Sequence, residues 1–296
     1  MKFKNELEKI ENTYFGKNKC IIIGNPVEHS LSPAMHNIAY KNCNIDDKFI
    51  FDKITVKEEE LEEFIFDLKD INKKTNSFVG LTCTMPHKQN IIKYLDEIKN
   101  EAKIIGAVNS VLIKDNKFIG YNTDWYGVER PFMERCINLT NKKVAIIGAG
   151  GASRSALYTF KKNNSVVNIF NRTKEKADLL AKEFNCNSYN LQDMDVLESS
   201  DIIINTTNVG MGELENISPI NTDVLNKNHI VFECIYKPKE TELIKKAKNV
   251  GATIIYGWEM LLYQGVKQFE IYTSIKPNID IMRGVLLQRC VLKCLL

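Results

Sequence analysis

Residues 142–160, "KKVAIIGAGGASRSALYTF", decide the fold. The apolar run Val144–Ile147 stops at Gly148, and Gly150 and Gly151 lead into small residues at helical spacing. An unbroken apolar run suits a strand covered on both faces, as in a parallel sheet. Glycines after such a strand let the backbone approach a pyrophosphate, whose charge then rests on the free N–H groups of a helix N-terminus. The strand before and the helix after separate this stretch from a chance G-x-G-x-x-G. Its sixth position holds Ser153 instead of Gly or Ala, still small enough for close helix–strand packing. The following strand-like run ends in "IFNRT". An NAD site carries an acid there for the ribose hydroxyl, whereas an NADP site drops the acid and supplies arginine. Asn171, Arg172 and Thr173 can all donate to a 2′-phosphate, so the cofactor predicted is NADP.

Outward from this stretch the α/β alternation continues through a Lys/Glu/Ala-rich helix (174–184) to "DIIINTT" (201–207), "HIVFECIY" (229–236) and "ELIKKAKNVGATIIYG" (242–257). An earlier α/β series runs from "CIIIGNPV" (20–27) through "SPAMHNIAYKN" (32–42), "KFIFDKITV", "EEELEEFIFDLKD" and "SFVGLTCTM". Such alternation predicts mostly parallel sheets. "WEMLLYQGVKQFEIYT" and the final "IDIMRGVLLQRCVLKCLL" read as helices placed after the second series is complete, free to return to the first. A charged helix over roughly 2–14 precedes everything.

The 296 residues suffice for two domains. Forty basic and 37 acidic residues, spread evenly, leave no basic stripe for nucleic acid. No apolar run is long enough to span a bilayer, and the opening "MKFKNELEKIENTYF" is no secretory signal, which points to the cytoplasm. The eight cysteines (20, 43, 83, 136, 186, 234, 290 and 294) form no C-x-x-C pair, as expected of reduced thiols without a metal site.

Four polar clusters remain: Ser30 and Ser32, Thr84 and Lys88, Asn109, and Asp124. Each has a structural explanation alone, as a cap, a strand residue or a turn; together they suit a polyhydroxylated, anionic small molecule. Lys88 stands where a strand meets an expected amphipathic helix, and a cation gains nothing from the positive end of a helix.

In order along the chain, "GNPVEHSLSPAMHN", "TMPHK", "GAVNS", "GYNTD", "GAGGASR", "NRT", "NTTNVGM", "YKPKET" and "GWEMLLYQG" resemble the shikimate dehydrogenase family over nearly the whole length. The resemblance implies an α/β fold of two domains. One is an N-terminal substrate domain with a mostly parallel mixed sheet, residues 1–122 completed by the helices of 258–296; the other is a Rossmann-type NADP domain, 123–257. It implies NADPH-dependent reduction of 3-dehydroshikimate to shikimate by a monomer or homodimer. Ser30 and Ser32 would hold the substrate carboxylate, with Tyr236 nearby; Thr84, Asn109 and Gln264 would bind ring hydroxyls; Lys88 and Asp124 would be the catalytic pair. Gly148, Ala149, Gly150, Gly151 and Ala152 would carry the pyrophosphate, Asn171, Arg172 and Thr173 the 2′-phosphate side, and Gly257 would lie near the nicotinamide. Thr82 stands where the family commonly has Asn, Ser110 where Thr is usual, Glu233 where Asp is usual, and Cys234 where an apolar residue is common.

A ketone oxygen gains negative charge as hydride arrives, and a fixed donor there stabilises the transition state more than the ground state. Two roles stay open for Lys88: proton donor, or fixed cation with the proton relayed by Asp124 or water. Two alternatives stand beside this function: an NAD-dependent quinate/shikimate dehydrogenase, and a catalytically silent sensor on the same scaffold.

Overall fold

The structure, a computed structural model, describes residues 2–291. Its chain order is α1 (Lys4–Thr13), β1 (Asn18–Gly24), α2 (Ser32–Asn42), β2 (Phe49–Thr55), α3 (Leu61–Thr75), β3 (Phe78–Cys83), α4 (His87–Asn90), β4 (Glu97–Ile98), α5 (Asn100–Ile105), β5 (Ser110–Lys114) and β6 (Lys117–Tyr121). It continues with α6 (Asp124–Glu134), β7 (Lys143–Ile147), α7 (Gly151–Lys162), β8 (Val166–Phe170), α8 (Lys174–Phe184), β9 (Asn187–Tyr189), α9 (Met194–Glu198), β10 (Ile202–Asn205), β11 (Ile230–Glu233), α10 (Glu242–Asn249), β12 (Thr253–Ile255), α11 (Gly257–Thr273) and α12 (Ile279–Val291). Two compact units result. One runs to Thr123 and resumes over Gln264–Arg289; the other covers Asp124–Tyr263 and takes up again at Cys290.

The first unit holds a mixed sheet in the order β2-β1-β3-β5-β6-β4. β1 pairs parallel with β2 and β3, while β3–β5 and β5–β6 are antiparallel. α3 shows why this sequence buries one face: Leu61, Phe64, Ile65, Leu68 and Ile71 recur at helical spacing, and all are buried. Asn76, in the left-handed region at φ 50°, ends the helix. The second half of α11 completes this unit, with Phe269 5.2 Å from the Tyr40 ring and the Tyr272 hydroxyl 3.0 Å from Thr82 Oγ1.

The second unit holds a fully parallel sheet, β12-β11-β10-β7-β8-β9. Strand order reverses at β7, the strand before the glycine turn. Loops at the carboxyl ends of strands around such a switch point are where ligands bind in open α/β sheets. The first turns of α11 belong here, with Met260 in the core.

Two sequence expectations change. The amphipathic helix expected after Pro86 is a single four-residue turn, α4, followed by a 3₁₀ turn over Ile91–Tyr94. The Lys88 carbonyl accepts from Val108 N–H at 2.7 Å, docking the turn on the sheet, and Ile91, Ile92 and Leu95 turn into the core. The N-terminal helix, expected as an addition, is part of that core. Phe3, Leu7 and Ile10 are buried, and Phe3 packs edge-on to Phe64 at 5.4 Å. Glu11 also lies 2.9 Å from the ammonium of Lys19, a lysine with no exposed surface.

Removing one partner of such a pair leaves an uncompensated buried charge. Glu11→Ala is therefore expected to lower unfolding stability by about 3 kcal/mol in urea titrations. Glu11→Leu with Lys19→Met should recover most of that loss. An unchanged midpoint for Glu11→Ala would remove this role from the N-terminal helix.

Candidate active site

Three backbone hydrogen bonds set the expected substrate residues of the first unit. Thr84 N–H reaches Ile23 O (2.9 Å), Cys83 N–H reaches Asn109 O (2.9 Å), and Val108 N–H reaches Lys88 O (2.7 Å). The end of β3, the Lys88 turn and the start of β5 thus form one block, with Thr84, Lys88 and Asn109 on it. Gly24 lets β1 enter this block closely: a Cβ there would stand 2.3 Å from Thr84 Cγ2 and 3.0 Å from Met85 O. Ser30 and Ser32 are brought together at the start of α2, where Ser32 N–H donates to Ser30 Oγ at 3.3 Å.

Asn109 is buried, and the protein fixes the orientation of its amide. Oδ1 accepts from Thr123 N–H (2.7 Å) and from Ser110 Oγ (2.9 Å). Nδ2 donates to Thr123 Oγ1 (2.9 Å) and, longer, to Gln264 Oε1 (3.4 Å). The oxygen is held by two short bonds, so the side of the amide able to release a weak partner for an incoming hydroxyl is the N–H side. Ser110 is itself held by Gln268 Nε2 at 2.8 Å, one helical turn beyond Gln264. Thr123 and Gln268 escaped the sequence reading, and Ser110 was read only as a replacement for Thr; the i, i+4 spacing from Gln264 was the signal for Gln268. Thr82 turns its hydroxyl to Tyr272. His87, next to Lys88, is structural: its Nε2 lies 2.7 Å from Val56 O, and burial lowers its pKa.

The second unit places the remaining residues. Asp124 is buried at the start of α6, which is pinned to α7 by Thr159 Oγ1 on Trp125 O (3.0 Å) and by the Lys162 ammonium 4.2 Å from the Trp125 ring centre. Gly148 sits at φ 115°, where a side chain would also meet Thr206 Oγ1 at 2.7 Å. Ser153 does more than stay small. Its hydroxyl accepts from Gly150 N–H (3.0 Å) and bonds Thr206 Oγ1 (2.7 Å), which reaches Ile147 O (2.6 Å). A Cβ on Gly150 would touch no protein atom within 4 Å, so open space lies there, before the helix. Ala149 stands between the two glycines, and Gly151 and Ala152 start α7, where amides lack intrahelical acceptors.

Asn171 follows β8 directly, and Gly148 N–H donates to Phe170 O at 2.7 Å, so the glycine turn and "NRT" emerge side by side. Asn171 Nδ2 donates to Thr173 O (2.8 Å), while Arg172 and Thr173 are exposed. No carboxylate occupies these three positions, and the donor set with the open glycine turn fits a 2′-phosphorylated dinucleotide. Gly257 must be glycine because its Cβ would stand 2.4 Å from Ile235 O; the helix it begins is anchored by Glu259, bidentate to Arg135 at 2.7 and 2.9 Å. Tyr236 is half-buried beyond β11, and burial pushes its hydroxyl up to about 12. Among the described residues no group of three or more His, Cys, Asp or Glu could hold a metal ion, and no helix is long and apolar enough to cross a membrane.

Comparison with known proteins covers most of the chain. Family models described as shikimate dehydrogenase substrate binding domain, shikimate/quinate 5-dehydrogenase and shikimate 5′-dehydrogenase C-terminal domain match residues 22–111, 132–216 and 257–287. A shikimate dehydrogenase (NADP(+)) of Methanococcus maripaludis is 44% identical over 278 residues, 90% of this chain and 96% of that protein. A crystal structure of a shikimate dehydrogenase in complex with NADP+ superposes with a TM-score of 0.85 at 37% identity, covering 93% of this chain and 96% of that one. A quinate dehydrogenase from Corynebacterium glutamicum in complex with NAD gives 0.83 at 26% identity, covering 92% and 99%.

His36, within the "SPAMHN" motif, supplies a pH test of this unit's core. It has no exposed surface, stacks on Phe51 at 4.3 Å, and burial lowers its pKa from 6.5 to about 3, with the Gln268 amide opposing slightly. A depressed folded pKa gives stability that is full above 6.5 and lost as pH falls toward about 3. His36→Phe is therefore expected to lose less stability than the parent between neutral pH and pH of about 5, by up to about 1.4 kcal/mol per pH unit. Parallel urea midpoints for the two proteins at both pH values would refute this.

Proposed function

Because the chain belongs to the shikimate dehydrogenase family, we propose that it catalyses the reversible NADPH-dependent reduction of 3-dehydroshikimate to shikimate, on the route to chorismate and the aromatic amino acids. It acts in the cytoplasm as a monomer or homodimer. The observation that carries this function is the block of Thr84, Lys88 and Asn109, held by three backbone hydrogen bonds and oriented by a buried amide and hydroxyl network.

Ser30 and Ser32 are assigned to the substrate carboxylate, as paired hydroxyl donors at the start of α2. Thr84, Asn109 and Gln264 are assigned to the ring hydroxyls, with Asn109 donating, and Tyr236 to the carboxylate end. Lys88 and Asp124 are assigned as the catalytic pair, with Lys88 donating to the carbonyl oxygen as negative charge grows on it. NADPH, when bound, supplies the hydride. Gly151 and Ala152 amides receive its pyrophosphate. Gly148 and Gly150, whose N–H groups donate to Phe170 O and Ser153 Oγ, let the pyrophosphate approach through the space and backbone conformation they provide. Ala149 lines the same turn, Gly257 lies on the nicotinamide side, and Asn171, Arg172 and Thr173 receive the 2′-phosphate.

The lack of an acid at 171–173 disfavours the NAD-dependent quinate enzyme. Lys88→Met is expected to keep the fold and NADPH affinity while cutting turnover of shikimate with NADP by roughly 10²–10⁴. Thermal unfolding, cofactor fluorescence titration and absorbance of the reduced cofactor measure the three quantities. A variant that keeps most of its turnover would end the catalytic assignment of Lys88.

A further inference from the structure

Glu233, the last residue of β11, has no exposed surface and no cation among its hydrogen-bond partners. Its carboxylate accepts from neutral donors only. Oε1 takes Asn205 Nδ2 (2.9 Å) and Ile235 N–H (3.0 Å); Oε2 takes Thr241 Oγ1 (2.9 Å) and Asn205 Nδ2 (3.1 Å). Asn205 ends the neighbouring strand β10 and extends the network. Its Oδ1 accepts from Thr207 N–H (3.0 Å) and Thr207 Oγ1 (2.7 Å), and its Nδ2 reaches Val209 O (3.1 Å). Thr206, next in the chain, carries the hydroxyl that holds Ser153 and so the glycine turn. Thr241 caps α10 through Ile244 N–H at 3.3 Å. Tyr236 follows Ile235, and the Ile235 carbonyl is the atom that Gly257 approaches.

One buried carboxyl therefore ties together the segment after β10, the segment after β11 and the start of α10, all at the carboxyl edge of the sheet. We propose that Glu233 is a positioning residue that, as the carboxylate, holds the 234–238 segment so that Tyr236 meets the substrate. This rests on the functional reading given above. A carboxylate offers acceptors to all its donors. A protonated carboxyl or an amide turns one position into a donor and leaves a facing N–H or O–H unsatisfied, at a cost of about 1–3 kcal/mol.

Burial raises the Glu233 pKa to about 7, against the bonds from Ile235, Asn205 and Thr241 that lower it. The switch between the two forms therefore falls near neutral pH. The titratable and charged groups on the surrounding segments are engaged away from this carboxyl. Tyr236 is pushed up to about 12, Glu240 pairs with Lys248 and Glu242 with Lys245, and Lys237 and Lys239 bear on the Cys290 thiol, itself raised by burial. Glu259 is engaged by Arg135.

The test compares parent and Glu233→Gln in steady-state kinetics with shikimate and NADP from pH 6 to pH 8.5, with thermal unfolding and amide hydrogen exchange. The parent's KM for shikimate should fall about tenfold as pH rises through about 7, the loss of one unsatisfied donor. Glu233→Gln should hold the high KM across the range while kcat changes less than about threefold. Faster exchange in the variant should be confined to 205–210 and 234–241. A flat KM profile in the parent, or a variant with the parent's profile and protection, overturns the proposal. If Glu233→Gln fails to fold, the parent's profile alone decides. If the parent turns over no shikimate, the functional reading fails instead, and the exchange pattern still judges the positioning role.

Discussion

The hydrogen bond from Val108 N–H to the Lys88 carbonyl, 2.7 Å long, is the contact on which the proposed reacting end of the first unit depends. It fastens the Lys88 turn, a helix too short to hold itself, to the strand that presents Asn109. With Thr84 bound to Ile23 and Cys83 to Asn109, the turn has no freedom to slide along the sheet. A donor aimed at a developing oxyanion works only if it needs no rearrangement at the moment of reaction, and backbone bonds to rigid strands supply that condition. Gly24 belongs to the same constraint, since any side chain there would push Thr84 away.

Around this block the protein spends buried polar groups lavishly. Asn109, Ser110, Thr123, Gln264 and Gln268 form a network in which most donors and acceptors are met. A fully met buried network specifies one arrangement, whereas a partly met one is costly. The second unit repeats the device with different residues, running from Gly150 through Ser153 and Thr206 to Ile147, and from Asn205 to Glu233. In both units hydroxyl and amide side chains at strand ends set the geometry of the loops assigned to ligands in the proposed function.

The sequence made the second unit legible because its constraints are local. A strand, a glycine at positive φ, a helix of small residues and the missing acid after β8 can each be read in a few consecutive positions. Arrangements that join distant positions were hidden. Nothing near Glu11 announces that its partner is Lys19, so the N-terminal helix looked like an appendage although it carries Phe3, Leu7 and Ile10 into the core. The pattern after Pro86 read as a helix, because apolar residues at helical spacing do not reveal that the segment leading into β5 captures the Lys88 carbonyl. Ser153 was noted as small, yet its hydroxyl is what the turn uses.

In the proposed function NADP and shikimate form a matched pair, one selected by the donors of Asn171, Arg172 and Thr173, the other by hydroxyls and amides around Lys88. The most direct measurement is initial velocity with shikimate and quinate, each with NADP and with NAD, followed by absorbance near 340 nm, where reduced nicotinamides absorb. The highest kcat/KM is predicted for shikimate with NADP, by about tenfold or more over any other combination, the scale of one charge-assisted contact. A higher value with NAD or with quinate, or no turnover in any combination, would contradict it.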